Sequence, residues 1–269
     1  MVRAGSNAGK ERGAKRHGER AAAPAGSWIY GRHAVAAALD NPARRVRRIV
    51  ATQESLTSLE PLLASAQADL PATPEILDRR ALTLLLPEDA VHQGIAIAAD
   101  PLPRRELADV LAALPEGSGP HIVIVLDQVT DPHNVGAILR SAAAFAALAV
   151  VVPDHGTAPA SGVLAKAASG ALETVPLIRV GNLARALERV KAAGFWCVGL
   201  EAGAAESIAR LDLAERVALV LGAEGGGLRR LTREHCDFLA RLPTRDGASL
   251  NVSNAAAVAL YEIARRNRG

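Results

Sequence analysis

The chain has 269 residues, of which 49% are hydrophobic and only 3% aromatic, and its formal net charge is +3. A chain of this size can bury one large or two modest cores, which excludes an intrinsically disordered protein. Its longest apolar run, residues 142–152, is well short of the roughly 20 residues that span a bilayer, so no membrane partner is expected. Cys197 and Cys236 lack metal-binding spacing, which predicts buried thiols in a reducing cytoplasm, no disulfide framework and no metal site.

The first 26 residues form a basic segment. They contain six Lys or Arg against two Glu, in a Gly- and Ala-rich stretch without apolar periodicity. This composition predicts a disordered tail over residues 1–26, and such an arm suits the phosphate backbone of RNA or DNA. A tail that only improves solubility is the alternative.

Residues 27–99 are predicted to form a small α/β domain. Its ordered part starts with the stretch 28–39, in which Gly31 makes a turn before a helix. The other predicted elements are a strand at 47–52, a helix at 56–68, a short strand at 76–77, a helical turn at 81–86 and a strand at 94–99. A linker is predicted at 100–120, because Pro, Gly and Ser flank one short helix there.

The remaining residues, 121–269, are predicted to form a parallel α/β domain. Apolar strands alternate with helices here, and the strands are predicted at 121–127, 148–152, 175–180, 195–200, 217–222 and 238–243. This alternation is typical of a parallel sheet that is covered on both faces. A helix from about Asn251 to Arg266 closes the chain. Ligands of such sheets bind beyond the carboxyl ends of the strands, where the polar clusters of this chain lie.

The first polar cluster is LDQVTDPHNVGAILRSA, residues 126–142. A strand ends at Asp127, and a turn leads to Asn134, the candidate N-cap of a helix over 134–145. Arg140 lies about 120° around that helix and nearly two turns along it, so the two side chains can border one cavity without touching. A simple helix cap and a solvated arginine are the alternative.

The second cluster, VALVLGAEGGGL at 217–228, is a buried strand that ends in glycines. Glycines let a backbone approach a ligand and present free N–H groups. Glu224 stands where a dinucleotide fingerprint requires glycine, which argues against a nicotinamide oxidoreductase. A carboxylate here favours a hydroxyl, an amine or a sulfonium ligand over a phosphate. A glycine turn with a helix-capping acid is the alternative.

The third cluster, GASLNVSNAAAVALYE at 247–262, places Ser249, Asn251, Ser253 and Asn254 at the start of an apolar helix. One cap needs one such residue, so the excess indicates hydrogen bonds to a ligand or partner. A merely polar helix start is the alternative.

Together the three clusters carry a family resemblance. The patterns D-P-x-N-x-G-x-x-x-R, L-G-x-E-x-x-G-L and S-L-N-V-S resemble the three motifs of the SpoU (TrmH-like) family of S-adenosylmethionine-dependent RNA ribose 2′-O-methyltransferases. GRHAV at 31–35, HQGI at 92–95 and GLRRLTREHCD at 227–237 resemble the bacterial branch that methylates a guanosine of 23S ribosomal RNA. The resemblance covers residues 28–267.

The resemblance implies a fold and a cofactor. Residues 121–269 would form a SPOUT domain, an α/β trefoil knot with a parallel sheet, and family members are homodimers packed through this domain. The cofactor would be S-adenosyl-L-methionine, held by Gly222, Leu242 and Leu250.

The resemblance also implies a catalytic set, namely Asn134, Arg140, Glu224, Ser249 and Asn251. The reaction is a displacement at carbon that needs the ribose hydroxyl in line with the methyl group. Because a guanidinium keeps its proton, we favour Arg140 as an electrostatic group for a phosphate and the developing alkoxide over a role as general base. His133 is a further candidate base, with a solvated turn histidine as the alternative.

The domain at 27–99 resembles a ribosomal-protein-like RNA-binding domain. Arg44, Arg45, Arg47 and Arg48 would contact phosphates, unless they only add charge to a strand edge. The expected substrate is therefore 23S ribosomal RNA. The alternatives are the same chemistry on transfer RNA or another ribosomal site, and a non-catalytic RNA-binding or ribosome-assembly factor.

Overall fold

The computed structural model describes residues 27–71, 73–114, 121–157, 161–213, 215–245 and 248–266. The predicted basic tail lies outside the described residues. Two sheets organise the described chain, a four-stranded sheet before residue 100 and a seven-stranded sheet from residue 121 onwards.

The N-terminal unit is a small α/β layer. Its elements are β1 (Ser27–Tyr30), α1 (Arg32–Asp40), β2 (Val46–Ala51), α2 (Gln53–Ala64), β3 (Glu75–Ile76), α3 (Arg79–Leu85) and β4 (Ile95–Ala99). The strand order is β1-β4-β2-β3, with β4 antiparallel to both of its neighbours. Gly31 joins β1 to α1 at a φ of +86°, a conformation that glycine adopts without steric cost. The elements predicted from the sequence are present, with ends shifted by a few residues.

A short helix, α4 (Leu107–Ala112), follows the first unit inside the segment predicted as a linker. Leu107 is buried, and Val110 and Leu111 pack beside it on the core of the second unit. This part of the linker segment is therefore fixed by apolar packing.

The second unit is the predicted parallel sheet. Its strands are β5 (His121–Asp127), β6 (Ala149–Pro153), β7 (Leu177–Val180), β8 (Trp196–Leu200), β9 (Glu206–Ser207), β10 (Arg216–Gly222) and β11 (Phe238–Arg241). Its helices are α5 (Pro132–Ala144), α6 (Gly162–Ala168), α7 (Ala171–Thr174), α8 (Leu183–Ala192), α9 (Arg230–Glu234) and α10 (Val252–Arg266), with a 3-10 turn at Ile208–Arg210. The order is β7-β6-β5-β10-β8-β11-β9, and the pairs are parallel.

The central strand β5 shows why the sheet is covered on both faces. Ile122, Ile124 and Leu126 enter one core, whereas Val123 and Val125 enter the core on the other face. Successive side chains of a strand point to opposite faces, so an apolar run requires a helix layer on each side. The predicted α/β fold class and its six apolar strands are confirmed, and the knot stays a prediction.

Two details correct the sequence analysis. The N-cap of α5 is Asp131, whose Oδ1 accepts the His133 N–H at 2.9 Å, and not Asn134. Pro132 lacks an N–H and suits the first helical position, which moves the cap upstream of Asn134. The second detail is β9, which was not predicted because both of its residues are polar and carry no apolar signal.

The cysteines are free thiols, as expected from the sequence. Cys197 is buried and Cys236 is half-buried. Burial, the largest cause, raises the pKa of each thiol to about 12.

The two units pack against each other. Gly162 of α6 lies so close to β1 that an added Cβ would be 2.3 Å from the Trp28 carbonyl oxygen. Lys166 Nζ donates to Gln93 Oε1 at 2.9 Å, which adds a polar contact between the units. Arg44 and Glu173 form a further polar contact between the units.

Candidate active site

The site lies at the carboxyl ends of β5 and β10. The two strands are adjacent and parallel, and Gly222 is in register with Asp127. Asp127 is fully buried and accepts hydrogen bonds from the N–H of Arg229 at 2.9 Å and from its Nε at 2.6 Å. The Asp127 carboxylate at the end of β5 therefore fixes the position of the loop that follows β10.

Three residues predicted as catalytic meet in this loop region. Asn134 Nδ2 donates to Glu224 Oε1 at 3.2 Å, and Asn251 Nδ2 donates to Asn134 Oδ1 at 3.0 Å. Asn251 Nδ2 also donates to Glu224 Oε1, which closes a triangle of side chains. Each of the three motifs thus contributes one member of a single hydrogen-bonded cluster.

The cluster fixes one oxygen of Glu224 and leaves the other available. Oε1 also lies 3.4 Å from the N–H of Val252, at the start of α10. Within the described ranges, Oε2 makes no hydrogen bond. A carboxylate held in this way can accept a hydrogen bond from a hydroxyl group at a defined position.

Hydrogen bonds to both the oxygen and the nitrogen of the Asn251 side-chain amide fix its orientation. Its Oδ1 accepts hydrogen bonds from the N–H of Ser253 at 2.9 Å and from Ser253 Oγ at 2.6 Å. This pairing directs Nδ2 towards Glu224 and caps the start of α10. Asn254 is exposed and stands outside this arrangement.

The other two predicted catalytic residues stay outside the cluster. Ser249 is exposed, and its hydroxyl forms no hydrogen bond to any residue that the structure describes. Arg140 is exposed on α5 about 9 Å further along the helix axis than Asn134, and it has no ion pair in the described chain. Its guanidinium is therefore available to an external anion. His133 is also exposed.

Two glycines of the loop, Gly222 and Gly225, are explained by different physical factors. A Cβ on Gly222 would lie 2.1 Å from the carbonyl carbon of Gly227, so the chain's own backbone requires glycine there. Ala223 and Gly227 close the loop with reciprocal backbone hydrogen bonds of 3.2 and 2.9 Å. Gly225 has a φ of +76°, and a Cβ built on it meets nothing within 4 Å. Open space therefore adjoins the outer part of the loop.

Two of the three predicted cofactor residues, Leu242 and Leu250, lie on the segment that leads to Asn251. Leu242 is half-buried and packs against the core, whereas Leu250 is 43% exposed immediately before Asn251. Between them, Thr244 Oγ1 donates to the carbonyl oxygen of Ala248 at 3.1 Å. This segment thus presents the exposed apolar side chain of Leu250 beside the polar triangle.

Four neighbouring arginines of the N-terminal unit, at positions 44, 45, 47 and 48, are paired with carboxylates. Arg44 and Glu173 have side chains that are 6% and 4% exposed, and Arg44 Nη2 lies 2.8 Å from Glu173 Oε1. This buried pair corrects the predicted phosphate contact of Arg44, because its guanidinium faces another part of the chain. The exposed Arg45 and Arg47 pair with Asp69 at 3.3 Å and with Asp100 at 2.6 Å, and the half-buried Arg48 pairs with Glu75 at 2.7 Å.

The described ranges contain neither a metal-binding cluster nor a membrane-spanning helix. They contain no group of three or more His, Cys, Asp or Glu side chains that could hold a metal ion. Among their helices, none is long and apolar enough to cross a membrane.

The fold and the site agree with comparisons to known proteins. Residues 121–261 match the SpoU rRNA Methylase family, and residues 28–105 match the family described as RNA 2'-O ribose methyltransferase substrate binding. The chain belongs to the SpoU rRNA methylase family, which confirms the resemblance seen in its three motifs.

Individual relatives are similar in sequence to most of this chain. The 23S rRNA (guanosine-2'-O-)-methyltransferase RlmB of Pseudomonas putida is 41% identical over 242 residues, which cover 89% of this chain and 96% of the relative. The protein of the same name from Vibrio cholerae is 42% identical over 243 residues, covering 88% and 96%.

Solved structures support the fold. The SpoU methyltransferase AviRb from Streptomyces viridochromogenes, in complex with AdoMet, has a TM-score of 0.73 at 22% identity and 90% coverage of both chains. A putative RNA methyltransferase of the TrmH family from Porphyromonas gingivalis has a TM-score of 0.67 at 26% identity, covering 89% of this chain and 90% of the other.

Proposed function

We propose that this chain transfers the methyl group of S-adenosyl-L-methionine to a ribose 2′-hydroxyl of RNA, and that the target is a guanosine of 23S ribosomal RNA. The observation that carries the proposal is the triangle of Asn134, Glu224 and Asn251, which joins the three family motifs at one carboxylate. The identity of 41% over 89% of the chain with an enzyme named for this reaction supports the choice of substrate.

The residues beside the triangle fit an adenosyl group. The outer glycines leave room for a ligand against the backbone, and the exposed side chain of Leu250 offers an apolar contact. Gly222 and Leu242 would complete the pocket beneath them. When bound, S-adenosyl-L-methionine supplies an electrophilic methyl group on a sulfonium that is a good leaving group.

The residues of the chain would orient and stabilise the nucleophile. Glu224 Oε2 would accept the hydrogen bond of the ribose hydroxyl, while Asn134 and Asn251 hold that carboxylate in place. Arg140, which lacks an internal partner in the described chain, would bind the adjacent phosphate and stabilise the developing alkoxide. The free hydroxyl of Ser249 would add a hydrogen bond to the bound ligands.

We also propose a homodimer in the cytoplasm, packed through a knotted second unit. Val258 and Tyr261 are 46% and 56% exposed and lie three residues apart, on one face of α10. Such an apolar pair suits a subunit interface. Sedimentation equilibrium of the full chain tests this, and a Val258→Glu/Tyr261→Glu variant is expected to shift the dimer to monomer. A wild-type monomer at micromolar concentration would contradict it.

The reaction is tested with purified full chain, S-adenosyl-L-methionine labelled in the methyl group, and transcripts of 23S ribosomal RNA and of transfer RNA. We expect label in the 23S transcript as 2′-O-methylguanosine, and none with Arg140→Ala. Label in transfer RNA alone would keep the chemistry and overturn the substrate. RNA binding without any transfer, on naked or ribosome-associated RNA, would favour a non-catalytic assembly factor.

A further inference from the structure

A large cleft separates the two units on the side of β7. It encloses about 1260 Å³ and is lined by residues of the segment 100–113, of β7 and of α8. Asn134, Glu224 and Asn251 are not among the described residues that line it. The cleft is therefore a feature separate from the proposed active site.

Four exposed arginines line this cleft. Arg104 and Arg105 come from the segment before α4, and Arg185 and Arg189 lie one turn apart on α8. None of the four forms an ion pair or a side-chain hydrogen bond in the parts of the chain that are described. They differ in this from the four arginines at 44–48 in the first unit, each of which has a carboxylate partner.

Carboxylates also line the cleft and limit which anions suit it. Glu106, Asp109 and Asp154 are present and have no ion-pair partner in the described chain. The cleft is thus not a uniformly positive surface, and its exposed positive charge is confined to two pairs of arginines. Guanidinium groups bind phosphate through two parallel N–H bonds, which suits them to this role.

The cleft reaches the same sheet edge as the proposed active site. Val180 and Asp154 in its lining stand at or just after the carboxyl ends of β7 and β6. β6 is the neighbour of β5, and strands are spaced by about 4.8 Å, so roughly 10 Å separates the end of β7 from the end of β5. One RNA strand can therefore reach from the cleft to the catalytic cluster.

A buried polar contact fixes the two units that flank the cleft. Glu173 accepts hydrogen bonds from Arg44 Nε at 2.9 Å and from Asn41 Nδ2 at 2.8 Å. Arg44 Nη1 also donates to the carbonyl oxygen of Asp100 at 2.8 Å, where the lining segment begins. These bonds join both units and the start of the segment at the floor of the cleft, so its width is set by fixed contacts.

We propose that this cleft binds the phosphate backbone of the substrate RNA next to the methylated nucleotide, with Arg104, Arg105, Arg185 and Arg189 as its phosphate ligands. This inference rests on the proposed function, because it assigns a surface to the RNA of that reaction.

The test compares matched double variants of the full chain. Arg185→Gln/Arg189→Gln and Arg104→Gln/Arg105→Gln remove charge from the cleft, and Arg230→Gln/Arg233→Gln removes the same charge from α9, where both arginines have carboxylate partners. The measurement is the Kd for the RNA fragment that the wild type methylates, over a series of salt concentrations. S-adenosyl-L-methionine binding reports whether each variant is folded.

Each cleft variant is expected to raise the Kd at least about tenfold and to lower the slope of log K against log salt by about 2, one per lost phosphate contact. The control variant is expected to stay within about twofold of the wild type, since its arginines already have partners. Equal slopes for the cleft variants and the wild type would overturn the proposal.

A second measurement does not depend on the folding of any variant. Photo-crosslinking of wild-type chain to the same RNA, followed by peptide mapping, is expected to label the segments 104–105 and 185–189. Crosslinks confined to other segments would overturn the cleft while leaving methyl transfer intact. A wild type that methylates no RNA would instead overturn the proposed function.

Discussion

The hydrogen-bonded triangle of Asn134, Glu224 and Asn251 and the arginine cluster of the first unit are opposite in how chain distance relates to contact. Asn134 is 90 positions from Glu224 and 117 from Asn251, yet all three share hydrogen bonds. The four arginines at 44–48 are near neighbours in the chain, and each pairs with a different carboxylate. Parallel strands gather distant loops at one edge, whereas successive residues of a strand diverge to opposite faces. Convergence of motifs therefore identifies the site better than local density of charge does.

The largest expected effect is on catalysis at the triangle and Arg140. Arg140→Ala is expected to lower kcat by about 10²–10³, the range observed when one preorganised electrostatic group is removed. Glu224→Gln keeps an acceptor oxygen but removes the charge, and is expected to cost about 10–100-fold. Steady-state kinetics on 23S transcript measures both, with S-adenosyl-L-methionine affinity as the control. Values of kcat within threefold of the wild type would separate these residues from the chemistry.

The arginine cluster itself contains a buried and an exposed pair to compare. Glu173→Ala leaves the Arg44 guanidinium buried without its partner and is expected to lower the free energy of unfolding by about 3–5 kcal/mol. Glu75→Ala removes the exposed partner of Arg48 and is expected to cost less than about 1 kcal/mol. Urea denaturation of both variants measures the difference. Equal costs would show that burial does not distinguish the two pairs.

The glycine loop after β10 allows a comparison between a crowded and an open position. Gly222→Ala places a Cβ against the backbone of Gly227 and is expected to cost about 1–3 kcal/mol through overpacking. Gly226→Ala is the matched control, because its nearest neighbour would be 4.0 Å away. Thermal unfolding compares the two, and a tolerated alanine at 222 would contradict the observed close approach.

The smallest expected effect is a pH dependence in the first unit. His92 is buried and accepts the Gly94 N–H at Nδ1, 3.0 Å away. Burial, and then the positive charge of Arg79, lower its pKa below the ordinary value of 6.5. The unfolded chain thus takes up a proton before the folded chain does, so stability is lost as the pH falls below about 6.5.

Urea denaturation between pH 7.5 and pH 5.5 measures this loss. A single proton gives a slope of at most about 1.4 kcal/mol per pH unit. His92→Asn, which keeps an acceptor but does not titrate, is expected to remove that part of the slope. Identical slopes for the wild type and the variant would exclude His92 as the cause.

The sequence predicted most of the fold because apolar runs and turn residues carry local signals. The six apolar strands of the second unit and the three motifs could be recognised from these signals. The three motifs lie close together in the structure, as expected from polar clusters at strand ends. The predicted N-cap at Asn134 was wrong because Pro132 favours the first position of the helix, which places the cap at Asp131. The burial of Arg44 was not predictable, since its partner lies 129 residues away. Arg185 and Arg189 look like solvated helix charges until the cleft beside them is seen.

The most direct test of the proposed function is mass-spectrometric mapping of 2′-O-methyl ribose in ribosomal and transfer RNA from cells with and without this gene. We expect the loss of a single 2′-O-methylguanosine from 23S ribosomal RNA, restored by the wild-type chain but not by Arg140→Ala. An unchanged methylation pattern in both RNA classes would contradict it.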